Sequence, residues 1–123
     1  MIQQEGDGWR FAHDPARGHF CILIGGDRWA FELTFEEWRG LIDVVIALID
    51  QHRALVDQLM EEEAITIELE RGSWWVALDG NQQEWGLAVV LSAAEGRSAE
   101  GAWAAPEAMA LVAAMRTELD QLE

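Results

Sequence analysis

Lysine and tyrosine are absent from this 123-residue chain, and cysteine occurs once. Without lysine the eight basic residues are all arginines, set against 23 acids for a formal charge of -15. A surface of that sign repels phosphate backbones and anionic lipid, and it suits a basic protein partner. The lone Cys21 excludes an internal disulfide. Lying in the apolar run "CILI", it reads as a reduced core thiol of a cytoplasmic protein rather than a reactive one. No apolar run approaches the roughly 20 residues of a bilayer span, since the longest, "LIDVVIALID", is broken by Asp43. The opening residues "MIQQEGDGW" lack the basic start and apolar stretch of an export signal.

Half the residues are hydrophobic, a quarter are charged and seven are Trp, the mix of a globular chain. Its length is that of a single domain over 1–123, long enough to bury a core without metals or disulfides. Trp9, Phe11 and His13 alternate with Arg10 and Ala12, which predicts a strand ending at the turn residues of "DPARG". "HFCILI" is a second strand. "GGDR" is its hairpin connection to a third, in which Trp29, Phe31 and Leu33 face inward. Thr34 followed by Glu37 is a capping box, and the apolar period beyond it predicts a helix of roughly 26 residues ending near Met60.

From Ala64 the period returns to two. Strands are expected at "AITIELE", "WWVALDGN" and "EWGLAVVLS", followed by a loop, "AAEGRSAEGAW", in which Trp103 anchors against the body. Pro106 suits the first turn of a shorter helix reaching about residue 122. The expected fold class is α+β: two strand-strand-strand-helix units, pseudo-repeat halves at about 8–60 and 64–122. One curved antiparallel sheet, or two abutting ones, would be covered on one face by both helices.

Alternation places Arg10, Arg28 and Trp75 on the opposite sheet face, where a Trp flanked by Arg is a candidate binding surface for bases or for a partner's side chains. Glu68 and Glu70 share that face and argue against nucleic acid; a half-solvated face with scattered Trp is the plainer reading. Arg97, Glu100 and Trp103 form a candidate loop site in which Arg97 and Glu100 would pair, or simply lock the loop. Glu61, Glu62 and Glu63 fall at the expected C-terminal end of the long helix, where the macrodipole disfavours acids. They would form a docking patch, a cation site or an ordinary solvated end. His13, His19 and Cys21 lack the partners of a zinc site, and His52 reads as a packed, hydrogen-bonded residue on the apolar stripe. No activated nucleophile, phosphate loop or paired carboxylates near a His stand out. The expectation is therefore no catalytic, metal or cofactor-binding residues, no cofactor, and no enzyme.

The segments "GWRF", "LIGGDRWAFELTFEEW", "LMEEEAITIELE", "WW" and "GRSAEGAW" together resemble the small cyanobacterial family labelled domain of unknown function 1818. That resemblance implies a photosynthetic bacterial source. It also implies a fold similar to the single-stranded-DNA-binding transcriptional regulator group, which includes the plant Whirly proteins. It carries no activity, and the Lys-rich nucleic-acid-binding residues of the Whirly group have no counterpart here. The expected function is thus a non-enzymatic acidic interaction or regulatory module that holds a protein partner or a second copy of itself. The alternative is a single-stranded nucleic-acid-binding transcriptional regulator. Self-association is expected because so long a helix would carry more apolar stripe than three strands can cover.

Overall fold

Most of the period-two alternation becomes strand and most of the 3.6-residue period becomes helix, although His19, Phe20, Cys21 and Trp29, expected in strands, lie outside them. The computed structural model describes residues 1–60 and 63–122. Among these, in chain order, run β1 (Ile2–Gly6), β2 (Trp9–His13), β3 (Ile22–Gly25), β4 (Ala30–Leu33), α1 (Phe35–Val56), β5 (Ile65–Arg71), β6 (Trp74–Gly80), β7 (Trp85–Ser92), β8 (Ser98–Trp103) and α2 (Glu107–Leu122). The strands form two antiparallel four-stranded sheets, β1-β2-β3-β4 and β5-β6-β7-β8. The α+β architecture stands as expected, and each unit gains a fourth strand.

The two extra strands have physical explanations. β1, "IQQEG", has almost no apolar alternation, and pairing with β2 from Ile2↔His13 to Gly6↔Trp9 makes it a strand. β8 was expected to be loop because it holds Ser, Ala and Gly. It pairs with β7 from Leu87↔Trp103 to Ser92↔Ser98. Its Gly101 is needed for packing: a Cβ there would lie 2.4 Å from Cη2 of Trp29. A sequence signal for irregularity is in fact a signal for close approach.

Both halves of the capping box form. Thr34 Oγ1 accepts from the Glu37 N–H at 3.1 Å, and the Glu37 carboxylate accepts from the Thr34 N–H at 2.9 Å. At the far end α1 stops at Val56, giving 22 residues instead of 26. The Gln58 and Leu59 N–H groups turn back three residues, to Leu55 and Val56, which tightens the chain out of the helix. Leu59 and Met60 fit the helical period but have no core to enter, and Met60 is 69% exposed. Glu63 therefore lies beyond the helix, where the helix dipole does not reach it. Glu61 and Glu62 lie outside the described residues.

The helices cross over. α1 rests mainly on β5 and β6 of the second sheet, and α2 rests on β1 and β2 of the first as well as on β7 and β8. One core results, in which Phe11, Ile24 and Leu33 meet Trp38 and Leu48 of α1, Val76 and Leu91 of the second sheet, and Leu111 and Met115 of α2. Most of the apolar stripe of α1, from Trp38 to Val56, is covered within the chain, while Leu55 remains 47% exposed.

The sheets interlock at β4 and β8. The Trp29 ring stacks on Phe31 at 6.0 Å between centroids, tilts against Trp103 at 5.1 Å, and fills the space above Gly101. Gly101→Ala should destabilise the fold by about 1–3 kcal/mol, as overpacked sites do, measured by urea unfolding. Unchanged stability would show that the Trp29 ring moves freely and that the interlock is not fixed.

Candidate functional site

The face of the second sheet turned away from the helices is open, and its chemistry follows from register. Pairing aligns Glu70, Trp75, Val90 and Glu100 in one row across the four strands, and Glu68, Ala77, Ala88 and Ala102 in the next. Small residues thus floor the middle of the sheet while carboxylates sit on both edge strands. Trp75 rises from this floor, half-buried. An open groove of about 500 Å³ lies between Trp75 and Trp29, floored by Ala88, Val90 and Ala102, with Glu100 in its lining.

Trp29 reaches the groove because the β3–β4 connection is held tightly. A Cβ on Gly25 would stand 2.4 Å from the Trp29 carbonyl oxygen, and one on Gly26 would stand 2.6 Å from the Trp29 indole nitrogen. Arg10 clasps the turn from β2, donating from Nε to the Gly26 carbonyl and from Nη2 to the Trp29 carbonyl, each at 2.9 Å. Asp27 accepts from the Gly8 N–H at 3.0 Å. Nothing in the alternation of the sequence marks Trp29 as a groove wall, since it reads as another inward strand residue.

The expected trio of Arg10, Arg28 and Trp75 is not brought together. The Arg10 guanidinium is engaged in the first sheet, and exposed Arg28 lines a neighbouring shallow groove with Asp27 and Glu107. Trp75 stands with Trp29 and with acids instead. Within this face Thr66 donates from its hydroxyl to Asp79 at 2.6 Å, while Glu68, Glu70 and Glu100 are exposed.

The candidate loop also divides. Trp103 is buried and donates from its indole N–H to the Gly25 carbonyl at 2.9 Å, so it anchors the chain as expected. Arg97 bypasses Glu100. It pairs with Glu37 at the start of α1 and donates to the Glu32 carbonyl at 2.6 Å, and its guanidinium carbon lies 4.7 Å from the Phe20 ring centroid. Glu100, released from that pairing, faces the groove. Burial alone pushes the Glu37 carboxyl upward. Bonds from Arg97 and from the Thr34 N–H, with the Arg97 charge, outweigh it and hold the group below its ordinary value of 4.5.

His13 Nδ1 is hydrogen-bonded to the Glu118 carboxylate of α2, both side chains buried. Glu118 escaped the sequence reading, although its place on the stripe of Leu111, Met115 and Leu119 is the available signal. His52 is buried and donates from Nε2 to the Gly80 carbonyl at 2.9 Å. Cys21 is buried and free, and exposed His19 packs edge-on against Phe20. Among the described residues no group of three His, Cys, Asp or Glu is placed to hold a metal ion, and no helix is long and apolar enough to cross a membrane.

A family model described as "Domain of unknown function (DUF1818)" matches residues 4–118. A crystal structure from Prochlorococcus sp. NATL2A, described as a protein with unknown function from DUF155 family, shares 44% sequence identity with this chain. The match covers 97% of this chain and 99% of that one, with a TM-score of 0.89. No curated protein matches.

The Glu37 geometry fixes the sign of a pH effect. A carboxyl whose folded value is depressed contributes stability that is fully present above its unfolded value and lost as pH falls through the folded one. Glu37→Gln should therefore cost about 1.5–3 kcal/mol at neutral pH, the range for hydrogen bonds to a charged group. The gap to the unsubstituted protein should close as pH falls below 4.5, read by urea unfolding at each pH. A gap that is the same in acid and at neutrality would show that the Glu37 charge contributes nothing.

Proposed function

The chain belongs to the family described as "Domain of unknown function (DUF1818)", and since that membership brings no activity with it, we propose a role from its own surface: a non-enzymatic interaction module that grips a cationic segment of a protein partner. The carrying observation is the groove in which two Trp side chains, a floor of small apolar residues and the carboxylate of Glu100 converge. A Lys or Arg head over a Trp face gains about 0.5–1 kcal/mol where exposed and about 2 kcal/mol where desolvated. Glu100 supplies the countercharge, and the apolar stem of the same side chain lies along Ala88, Val90 and Ala102. The net charge of -15 steers such a partner in from a distance. The reading places this work in the cytoplasm, where the lone thiol of Cys21 stays reduced.

Titration with a peptide that alternates arginine with apolar residues, followed by intrinsic Trp emission, tests the reading. Binding is expected to weaken as salt is raised. Trp75→Ala should lower affinity by about tenfold, equivalent to roughly 1.4 kcal/mol, and Glu100→Gln should lower it by a smaller factor. Absence of binding at low salt, or binding indifferent to both substitutions, would overturn the proposal. So would preferential binding of oligo-dT, which would favour a single-stranded nucleic-acid regulator.

A further inference from the structure

The second sheet has two edges, and they are treated differently. At β8 the edge is closed by the first sheet: Trp29 and Phe31 lie over Gly101, and Arg97 reaches the Glu32 carbonyl. At β5 the sheet order simply ends. Among the described residues the elements packed substantially against β5 are its partner strand β6 and α1, which covers one face. β5 is seven residues, "ITIELER", with no Pro or Gly and an unbroken register from Ile65↔Gly80 to Arg71↔Trp74. In an antiparallel ladder every second residue of an edge strand turns its N–H and C=O away from its neighbour. An unbroken edge of this kind, about 23 Å long at 3.3 Å per residue, is a template for another strand.

The side chains of β5 decide what can use it. Thr66, Glu68 and Glu70 stand exposed on the open face. Antiparallel pairing with a second copy, using the full strand, sets Glu68 against Glu68 of that copy, and like charges directly opposite are destabilising. A strand with Lys or Arg at alternate positions meets the same carboxylates as complements. The open face continues from β5 directly to Trp75, the cross-strand neighbour of Glu70.

We propose that β5 is a docking edge, extended by β-augmentation with an extended partner segment that carries Lys or Arg at every second residue. The proposal rests on the cationic-partner reading above and adds the partner's conformation, its charge period and the edge it occupies. Backbone hydrogen bonds would supply the attachment and the Glu68 and Glu70 carboxylates the selectivity.

The probe is a capped seven-residue peptide alternating Lys with Val, beside a twin N-methylated at alternate backbone nitrogens on its docking side. The readouts are affinity and residue-resolved amide hydrogen exchange of the full chain. The expected result is slowed exchange at outward-facing β5 amides, about tenfold weaker binding of the methylated twin, and loss of binding in the Glu68→Lys, Glu70→Lys double variant. Equal affinity for both peptides, or unchanged exchange along β5, would overturn the edge proposal. If binding is indifferent to methylation but falls with Trp75→Ala, the groove reading stands and the edge proposal fails. If binding depends on methylation and protects β5 but ignores Trp75→Ala, the edge proposal stands and the groove reading fails. No binding of either peptide overturns both.

Discussion

α1 buries its apolar stripe on the sheet of the other half while α2 lies across both sheets, and the rest of the molecule depends on that arrangement. α1 follows β4 in the chain but rests on β5 and β6, while α2 follows β8 and reaches back to β1 and β2. Fully burying a large aliphatic or aromatic side chain is worth about 1.5–3 kcal/mol, and that gain arrives only when both halves are present. The contacts across the crossing are accordingly specific: buried Glu118 of α2 meets His13 of β2, and the Trp74 indole N–H of β6 donates to the Glu37 carbonyl of α1 at 2.8 Å.

With the helices crossed, the two sheets meet edge to edge, and the junction is made by the backbone of one tight turn. Three of its carbonyls accept from side chains: Gly25 from Trp103, and Gly26 and Trp29 from Arg10. A side chain at Gly25 or Gly26 would collide with Trp29, so the turn chemistry that makes the hairpin also sets where the indole goes. The same indole packs the junction over Gly101 and walls the groove with its other surface. Packing of the junction and shaping of the groove therefore fall on one residue.

What could be read from residue order alone follows from which physical signals are local. The capping box, the hairpin at "GGDR" and the strands from Ile65 to Ser92 rest on spacing within a few residues, and all of them form. β1 and β8 depend on partners supplied by tertiary structure: Gln3 and Glu5 carry no alternation, and Gly101 looks like a breaker until Trp29 is placed above it. The helix end was misplaced because Leu59 and Met60 keep the period without a core to enter. At the site, Trp75 on the open face and Trp103 as an anchor were legible. The Arg97–Glu37 pair spans 60 residues, and no spacing rule favours it over the nearer Glu100.

Charge then acquires a second meaning. Arg10, Arg17 and Arg97 are engaged with carbonyls or carboxylates of the chain itself, so the surface offers still less positive charge than the composition suggests. Along α1 and at its C-cap the exposed Glu36, Asp43, Asp50 and Asp57 recur every seven residues, keeping that flank negative as well. A phosphate backbone meets repulsion on the helix and on the open sheet alike. The small apolar floor and the β5 edge would, on an uncharged protein, invite a second copy, whereas exposed Glu68, Glu70 and Glu100 set like charges against such pairing. On the reading proposed above, the carboxylates that would oppose pairing of the open face with a second copy are the same groups that would admit a cation, so both effects would follow from a single electrostatic property of one sheet.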